Sequence, residues 1–276
     1  MVLKRILPLL AAATLAVATQ AGAAPVFNAA SYSADVTFTD ALGGTSMTMA
    51  FDGTNYYSAS GGSSGGTRYA QYNAGGTSTG TFSPGLDFRS VFTDAANNVY
   101  ARQFNSNTIY KQSSPGTFGS FLSLTGGSLD AQSSVVLNSA GQFVAMQGGT
   151  VNVWSASGAF SNSFSLGGYT GNYPENRGIA AAGNNLFTYF NQTLSAWDYS
   201  GNLVDTATLT AAGTSFDSYF SISYANDRIF VVDNAGGTWR GYDIGVAGGN
   251  VPEPGALALL ALGLIAASVS RRRVKA

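Results

Sequence analysis

Apolar and polar positions alternate through the middle of this 276-residue chain in short runs, and each run ends at a turn of Asp, Asn or Gly. Alternation with a period of two places successive side chains on opposite faces of a strand. The turn residues tolerate the positive φ that tight hairpins require. The pattern therefore predicts an all-β domain over residues 24–250, built from short strands and hairpins.

A strand–turn–strand unit recurs five times along this domain, in the stretches MAFDGTNYYSAS, VFTDAANNVYARQ, VVLNSAGQFVAMQ, GIAAAGNNLFTYF and ISYANDRIFVVD. The first apolar residues after the turns are 43 or 44 positions apart: Tyr56, Val99, Phe143, Leu186 and Ile229. An aromatic strand follows each hairpin, and Tyr110, Trp154 and Trp197 each lie 11 residues after the first apolar residue of their unit. That spacing predicts equivalent places for these three aromatic residues in successive units.

A fourth strand follows in most units, and four strands in about 43 residues are typical of a β-propeller blade. The fifth unit lacks its fourth strand, whereas an unassigned strand, Ser33–Asp40, precedes the first unit. Phe38 lies 15 residues before Gly53, as Phe82 lies 15 before Asn97, so the early strand has the register of a fourth strand. We expect a five-bladed propeller that this strand closes beside Trp239–Asp243. A β-sandwich or β-solenoid is the alternative, although a sandwich has no reason to repeat at this period.

Composition and charge exclude several kinds of chemistry. The chain contains no cysteine and no histidine, which removes Ser-His-Asp and Cys-His mechanisms and His-ligated metal sites. Residues 24–250 carry 13 acidic and seven basic side chains, a balance that argues against nucleic acid as a partner. We predict no cofactor and no catalytic residue.

Few carboxylates could serve an enzyme. Glu175 is the only glutamate of residues 24–250, and a glycosidase would need a second carboxylate beside it, such as Asp130 or Asp217. We interpret Glu175 as a loop residue. The pairs Asp52-Gly53, Asn97-Asn98, Asn184-Asn185 and Asn226-Asp227 suit calcium by ligand type, but hairpin turns explain them more simply, and no metal site is predicted.

Aromatic side chains and glycines allow two further binding hypotheses. Trp154, Trp197 and Trp239, with Tyr69 and Tyr110, would form a sugar-stacking platform if they were exposed. Their repeat spacing instead favours packing inside the blades. The segment Gly61–Gly66 has no following lysine or helix signal, so it predicts a hairpin tip and not a phosphate loop.

The beginning of the chain has the pattern of a signal peptide. Lys4 and Arg5 precede an apolar stretch from Ile6 to Val17, and Ala21-Gly22-Ala23 supplies the small residues that signal peptidase accepts. We expect cleavage after Ala23, so that the mature chain begins at Ala24.

The end of the chain, residues 251–276, combines three signals. Val251, Pro252, Glu253 and Pro254 form an extended peptide, because proline can neither continue a strand nor sit inside a helix. An uncharged apolar run of 15 residues follows, from Gly255 to Val269, and predicts a transmembrane helix of about 23 Å, short for a hydrocarbon core of about 30 Å. A basic cluster then completes the chain: Arg271, Arg272, Arg273 and Lys275.

This combination resembles the PEP-CTERM sorting signal of Gram-negative bacteria over residues 251–276. The resemblance implies processing by an exosortase and transfer from an inner-membrane precursor to the cell surface or the exopolysaccharide matrix. Two functions fit such an exported propeller: a non-catalytic protein that binds or organises matrix components, or a carbohydrate-active lyase or hydrolase. The absence of histidine and the scarcity of glutamate favour the first function.

Overall fold

A computed structural model describes residues 25–172, 175–212, 222–233 and 235–245. These residues form 21 strands and one short 3₁₀ helix, Glu175–Arg177, and they contain no α-helix. The strands form five separate sheets arranged as the blades of a propeller, which confirms the predicted fold class. The chain is therefore a five-bladed β-propeller, and neither a sandwich nor a solenoid.

The first four blades follow one another along the chain, each from its innermost to its outermost strand. Two strands precede them: β1 (Ser31–Ser33) and β2 (Val36–Thr39). Blade I contains β3 (Ser46–Phe51), β4 (Tyr56–Ser60), β5 (Tyr69–Tyr72) and β6 (Ser78–Phe82). Blade II contains β7 (Phe88–Thr93), β8 (Val99–Gln103), β9 (Thr108–Ser114) and β10 (Thr117–Ser123).

The remaining blades have the same plan. Blade III contains β11 (Val135–Leu137), β12 (Phe143–Gln147), β13 (Thr150–Trp154) and β14 (Phe160–Ser165). Blade IV contains β15 (Ala180–Ala182), β16 (Asn185–Phe190), β17 (Thr193–Trp197) and β18 (Leu203–Thr210). Blade V contains only three strands from its own part of the chain: β19 (Ser223–Ala225), β20 (Arg228–Asp233) and β21 (Thr238–Asp243).

The N-terminal strand β2 completes blade V, as the sequence predicted. It pairs antiparallel with β21, with Val36 opposite Gly241 and Phe38 opposite Trp239. The strand β2 comes directly before blade I in the chain and pairs within the sheet of blade V, so it connects the first blade to the last. This pairing closes the ring. Strand β1 makes a different contact, because it pairs in parallel with β18 and adds a fifth strand to blade IV.

The predicted equivalence of three aromatic residues is correct for two of them and wrong for Tyr110. Trp154 pairs with Phe143 and Trp197 pairs with Leu186, the first apolar residues after the turns of blades III and IV. Tyr110 pairs instead with Ala101, two positions after Val99. The cause is the connection between β8 and β9, which has four residues (104–107) where the connection between β12 and β13 has two (148–149).

One glycine per blade allows neighbouring blades to pack closely. These glycines follow the third strand of each blade and all have φ between 70° and 84°: Gly76, Gly116, Gly158, Gly201 and Gly245. A Cβ at Gly116 would lie 2.5 Å from Phe82 of the preceding blade, and a Cβ at Gly158 would lie 2.6 Å from the carbonyl oxygen of Ser123. Both the conformation and the contact therefore require glycine at this turn.

Candidate functional site

The innermost strands surround a cavity of about 220 Å³ on the propeller axis. Its deeper wall is largely apolar and includes Met49, Val91, Val136 and Ala181. It reaches the hairpins that connect the first and second strands of blades II, III and IV, and these hairpins supply its rim: Thr93, Asp94, Ala95, Asn138, Ser139, Gly141 and Gly183. Concave sites at the centre of a fold are where ligands usually bind, so this cavity is the candidate site.

Side-chain hydroxyls join the innermost strands of neighbouring blades around this cavity. Thr48 Oγ1 of blade I accepts from the amide of Val91 in blade II (2.6 Å) and donates to its carbonyl oxygen (3.1 Å). Three serines accept the corresponding amides elsewhere: Ser90 from Val135 (3.0 Å), Ser134 from Ile179 (3.2 Å) and Ser223 from Met49 (2.9 Å). These bonds satisfy buried backbone amides and link neighbouring blades around the cavity.

The most polar rim residues are engaged in the hairpin turns themselves. The Asp94 carboxylate accepts from the amides of Ala96 and Asn98, from Asn98 Nδ2 and from Tyr100 OH, at 2.8–3.0 Å. Burial disfavours the ionised form of Asp94, but the hydrogen bonds from Asn98, Tyr100 and Ala96 outweigh it and lower the pKa of Asp94. The same turn in blade III uses Asn138, whose Oδ1 accepts from the amides of Ala140 and Gln142.

Two other polar groups of the cavity lining, one on the rim and one on strand β19, are also bonded within the protein. Ser139 Oγ donates to the carbonyl oxygen of Gly183, which links the hairpins of blades III and IV at 2.8 Å. Tyr224 OH donates to Asp227 at 3.1 Å. Asp94, Asn138, Ser139 and Tyr224 therefore all form side-chain hydrogen bonds within the protein.

Three arginines surround the loop between blades II and III, where the chain enters the inner strand of blade III: Arg89, Arg102 and Arg177. Arg102 is fully buried and donates to four carbonyl oxygens, those of Ser106, Asp130, Ala131 and Ser133. Burial, with the nearby charge of Arg89, lowers the pKa of Arg102 to about 10. These bonds tie the loop to strand β8, which gives Arg102 a structural role.

The carboxylates considered for a glycosidase pair can be placed only in part. Asp130 forms an ion pair with Arg177 at 2.8 Å and also accepts from the amide of Gln132, so it supports the loop between blades. Glu175 begins the 3₁₀ helix, but its side chain lies outside the described part of the structure, as does all of Asp217. The interpretation of Glu175 as a solvated loop residue, rather than a member of a carboxylate pair, therefore stays a prediction.

The aromatic residues considered as a sugar platform are blade-packing residues, as the repeat spacing favoured. Trp154, Trp197, Trp239 and Tyr69 are buried, and Tyr110 is partly buried. The indole N–H groups bond inside the protein: Trp154 to the carbonyl oxygen of Gly126, Trp197 to Thr188 and Trp239 to Asp40. Their faces are therefore not available for stacking on a saccharide.

Three of the four Asp/Asn/Gly pairs place residues with positive φ in hairpin turns, as predicted. Gly53, Asn97, Asn226 and Asp227 have φ of 89°, 63°, 47° and 58°. In the remaining hairpin the residue before the pair, Gly183, has the positive φ of 55°. No group of three or more acidic side chains with metal-ligand geometry occurs among the described residues. The segment Gly61–Gly66 connects β4 to β5 as a hairpin loop.

The residues of the two predicted processing signals cannot be placed in the structure. The signal peptide (1–23), the motif Val251-Pro252-Glu253-Pro254, the apolar run and the cluster Arg271–Arg273 all lie outside the described residues. Within the described part, no helix is long and apolar enough to span a membrane.

Comparison with solved structures supports the propeller fold. The crystal structure of Myxococcus xanthus glutaminyl cyclase superimposes with a TM-score of 0.58 at 12% identity, over 77% of this chain and 97% of that chain. A gluconolactonase from Xanthomonas campestris gives a TM-score of 0.49 at 11% identity, over 79% and 88% of the two chains. The first likeness shows a common fold, and an identity this low carries no activity across.

Residues 250–273 match the PEP-CTERM protein-sorting motif. No curated protein matches the sequence. The resemblance noted in the tail is thus confirmed, and the chain carries the sorting signal of an exosortase substrate. It is an exported, sorted protein on a propeller scaffold.

Proposed function

We propose that this protein is a non-catalytic propeller that exosortase processing delivers to the cell surface or the exopolysaccharide matrix, where its axial cavity binds a matrix component. The apolar run at 255–269 holds the precursor in the inner membrane until the tail is cleaved. The ligand we propose is a neutral, ring-sized group such as a sugar unit of the exopolysaccharide.

The observation that carries this proposal is that polar side chains lining the cavity already form hydrogen bonds within the protein. In the described part of the cavity, Asp94, Asn138, Ser139 and Tyr224 already bond to turns or neighbouring hairpins. A general base needs an oxygen or nitrogen that can reach the proton of a substrate, and these groups are committed elsewhere. Binding makes no such demand, since an apolar wall and a braced polar rim can hold a ligand without reacting with it.

Size and charge support a neutral ring as the ligand. A water molecule occupies about 30 Å³ of liquid, so a cavity of about 220 Å³ admits a group of several heavy atoms and not a polymer chain. Asp94 is the one carboxylate on the described rim, and its lowered pKa keeps it ionised, which disfavours anionic ligands. A terminal or branching sugar meets both conditions.

The competing proposal is a carbohydrate-active lyase or hydrolase on the same scaffold. It would require a pair of carboxylates that can face a glycosidic bond. Asp130 is held by Arg177, which makes it a poor member of such a pair.

Incubation of the purified protein with exopolysaccharide from the producing cells separates the two proposals. We expect retention of the polymer with no decrease in its size, whereas a falling polymer size would identify an enzyme.

Ala95→Trp should obstruct the rim of the cavity and abolish retention. The matched control is Ser64→Trp, on the exposed hairpin of blade I away from the cavity, which should retain the polymer as well as the wild type does. Equal retention by both variants would refute the cavity as the binding site.

A further inference from the structure

The outer strands of blades I, II and III are unusual because none of them carries a charge. Strands β6, β10 and β14 contain only Ser, Thr, Gly, Asn, Phe and Leu. Each is the last strand of its sheet, and within the described residues no other strand pairs with its outer edge. Natural proteins usually protect such edges with charges, proline, bulges or a covering segment, because an open ladder can pair with another chain.

The same molecule protects its other two outer edges. In blade IV, β18 contains Asp205 and is covered by β1, which is itself uncharged but has only three residues, and very short edge strands offer little ladder for pairing. In blade V, β2 has only four residues and directly follows Asp35, which forms an ion pair with Arg228. The difference is therefore a property of blades I to III and not of the fold.

Strand β14 offers the most regular of these edges. Its register shift falls at its beginning, between the pairs Val153–Asn162 and Trp154–Phe160, so the ladder is regular from Asn162 to Ser165. By contrast, β10 has a second shift in its middle, between Ser120 and Leu122. Most of β14 is exposed, and Phe160 at its start is 39% exposed.

Blade II adjoins the start of β14 through a single β-bridge. Thr125, just after β10, pairs with Ala159, just before β14, and its carbonyl oxygen accepts from the amide of Phe160 at 2.9 Å. Phe121 of β10 is 49% exposed. The outer strands of blades II and III thus meet beside Phe160, and each of these two strands carries one exposed phenylalanine; Lys111 Nζ lies 6.0 Å from the Phe121 ring centroid.

We propose that β14 pairs edge to edge with β14 of a second copy of this chain, antiparallel about a two-fold axis. A second copy fits because two uncharged edges meet without repulsion, and a two-fold axis brings identical strands into an antiparallel ladder. The pairing of β1, with sequence Ser-Tyr-Ser, on β18 shows that an uncharged polar strand adds to an outer edge of this propeller. The inference rests on the proposed function only in placing this contact outside the cell.

Cross-linking of single-cysteine variants tests the contact, because the natural chain has no cysteine. The full chain with Ser163→Cys is expressed in the exporting cells, which are treated with a short bismaleimide and analysed on non-reducing gels. We expect a dimer cross-linked through position 163 and only monomer for the control Thr208→Cys, on the edge where β1 pairs with β18. Adding Asn162→Lys to the Ser163→Cys chain should decrease the dimer several-fold, because it places like charges across the ladder.

Three results bear on the proposal without depending on ligand binding. Equal cross-linking at positions 163 and 208 would mean random collision and would overturn it. Absence of dimer in Ser161→Cys, Ser163→Cys and Ser165→Cys chains that are exported at the wild-type level would also overturn it. Cell fractionation of the same samples reports separately whether the tail sorts the protein, so a failure of sorting is distinguished from a failure of pairing.

Discussion

Asp40 is expected to hold the closed ring together, and its replacement by alanine should be strongly destabilising. It follows the closing strand β2 and is 7% exposed. Its carboxylate accepts from Ser46 Oγ of blade I at 2.5 Å and from Trp239 Nε1 of blade V at 3.1 Å, and Tyr72 OH contributes at 3.3 Å. One side chain therefore joins the strand that closes the ring to both blades that it connects.

The magnitude follows from the hydrogen bonds that the substitution would remove. Ser46 and Trp239 are fully buried, and each hydrogen bond to a charged group contributes about 1.5–3 kcal/mol. Tyr72 OH is also 3.0 Å from Ser58 Oγ, so its loss is smaller. We expect Asp40→Ala to lower the free energy of unfolding by about 3–5 kcal/mol, and Asp40→Asn, which keeps one acceptor oxygen, by less.

Urea unfolding followed by tryptophan fluorescence measures this difference, because Trp239 lies in the affected contact. The matched control is Asp35→Ala at the other end of the same strand. The Asp35 side chain is 39% exposed and pairs with Arg228 at 2.7 Å, so its loss should cost less than about 1 kcal/mol. A loss for Asp40→Ala no larger than that of the control would refute the reasoning that ring closure depends on this carboxylate.

Three further predictions test the turns and the tail. Gly158→Ala should destabilise the protein more than Gly141→Ala, since both glycines have positive φ but only at Gly158 would a Cβ collide with a neighbouring blade; equal melting temperatures would contradict this. Asp94→Asn should make the free energy of unfolding depend less on pH in acid. The lowered pKa of Asp94 stabilises the folded protein above the unfolded pKa of about 4, and this contribution is lost as the pH falls through the folded pKa. An unchanged midpoint of acid unfolding would count against this prediction. Pro252→Ala with Glu253→Ala should leave an uncleaved membrane precursor with a folded propeller, whereas wild-type mature protein that retains the terminal arginines by mass spectrometry would show a permanent anchor.

The repeat made the fold predictable, because its period is set by local features that the sequence displays directly. Alternating apolar residues and turns of Asp, Asn or Gly located the hairpins, and Tyr56, Val99 and Phe143 begin the second strands of their blades. The closing strand was recognisable because Phe38 has the spacing of a fourth-strand residue. It lies against Gly76 of the next blade as Phe82 lies against Gly116.

The residues that line the cavity were not predictable in the same way, because they depend on contacts between blades. Met49 and Val91 are apolar strand residues like many others, and only the closed ring turns them toward an axis. The hydroxyls that join the inner strands did leave a signal, since Thr48, Ser90 and Ser134 each lie three residues before the end of the first strand of their blade. The prediction for Tyr110 was wrong for a simpler reason: counting residues from Val99 does not reveal that the hairpin between β8 and β9 is two residues longer.

Some positions of the repeat are the same in every blade and serve the packing of the ring, whereas others differ between blades and lie around the cavity. The glycine that follows the third strand is present in every blade, and in blades I to IV a Cβ at this position would collide with the outer strand of the preceding blade. The hairpins around the cavity differ: Asp94 braces one, Asn138 the next, and Gly183 provides the positive φ of the third. A position can differ between blades without destabilising the ring only where its side chain does not pack between blades. For the proposed binding function we therefore expect specificity to come from the hairpins of blades II, III and IV, so that exchanging them should change what the propeller binds while its stability is kept.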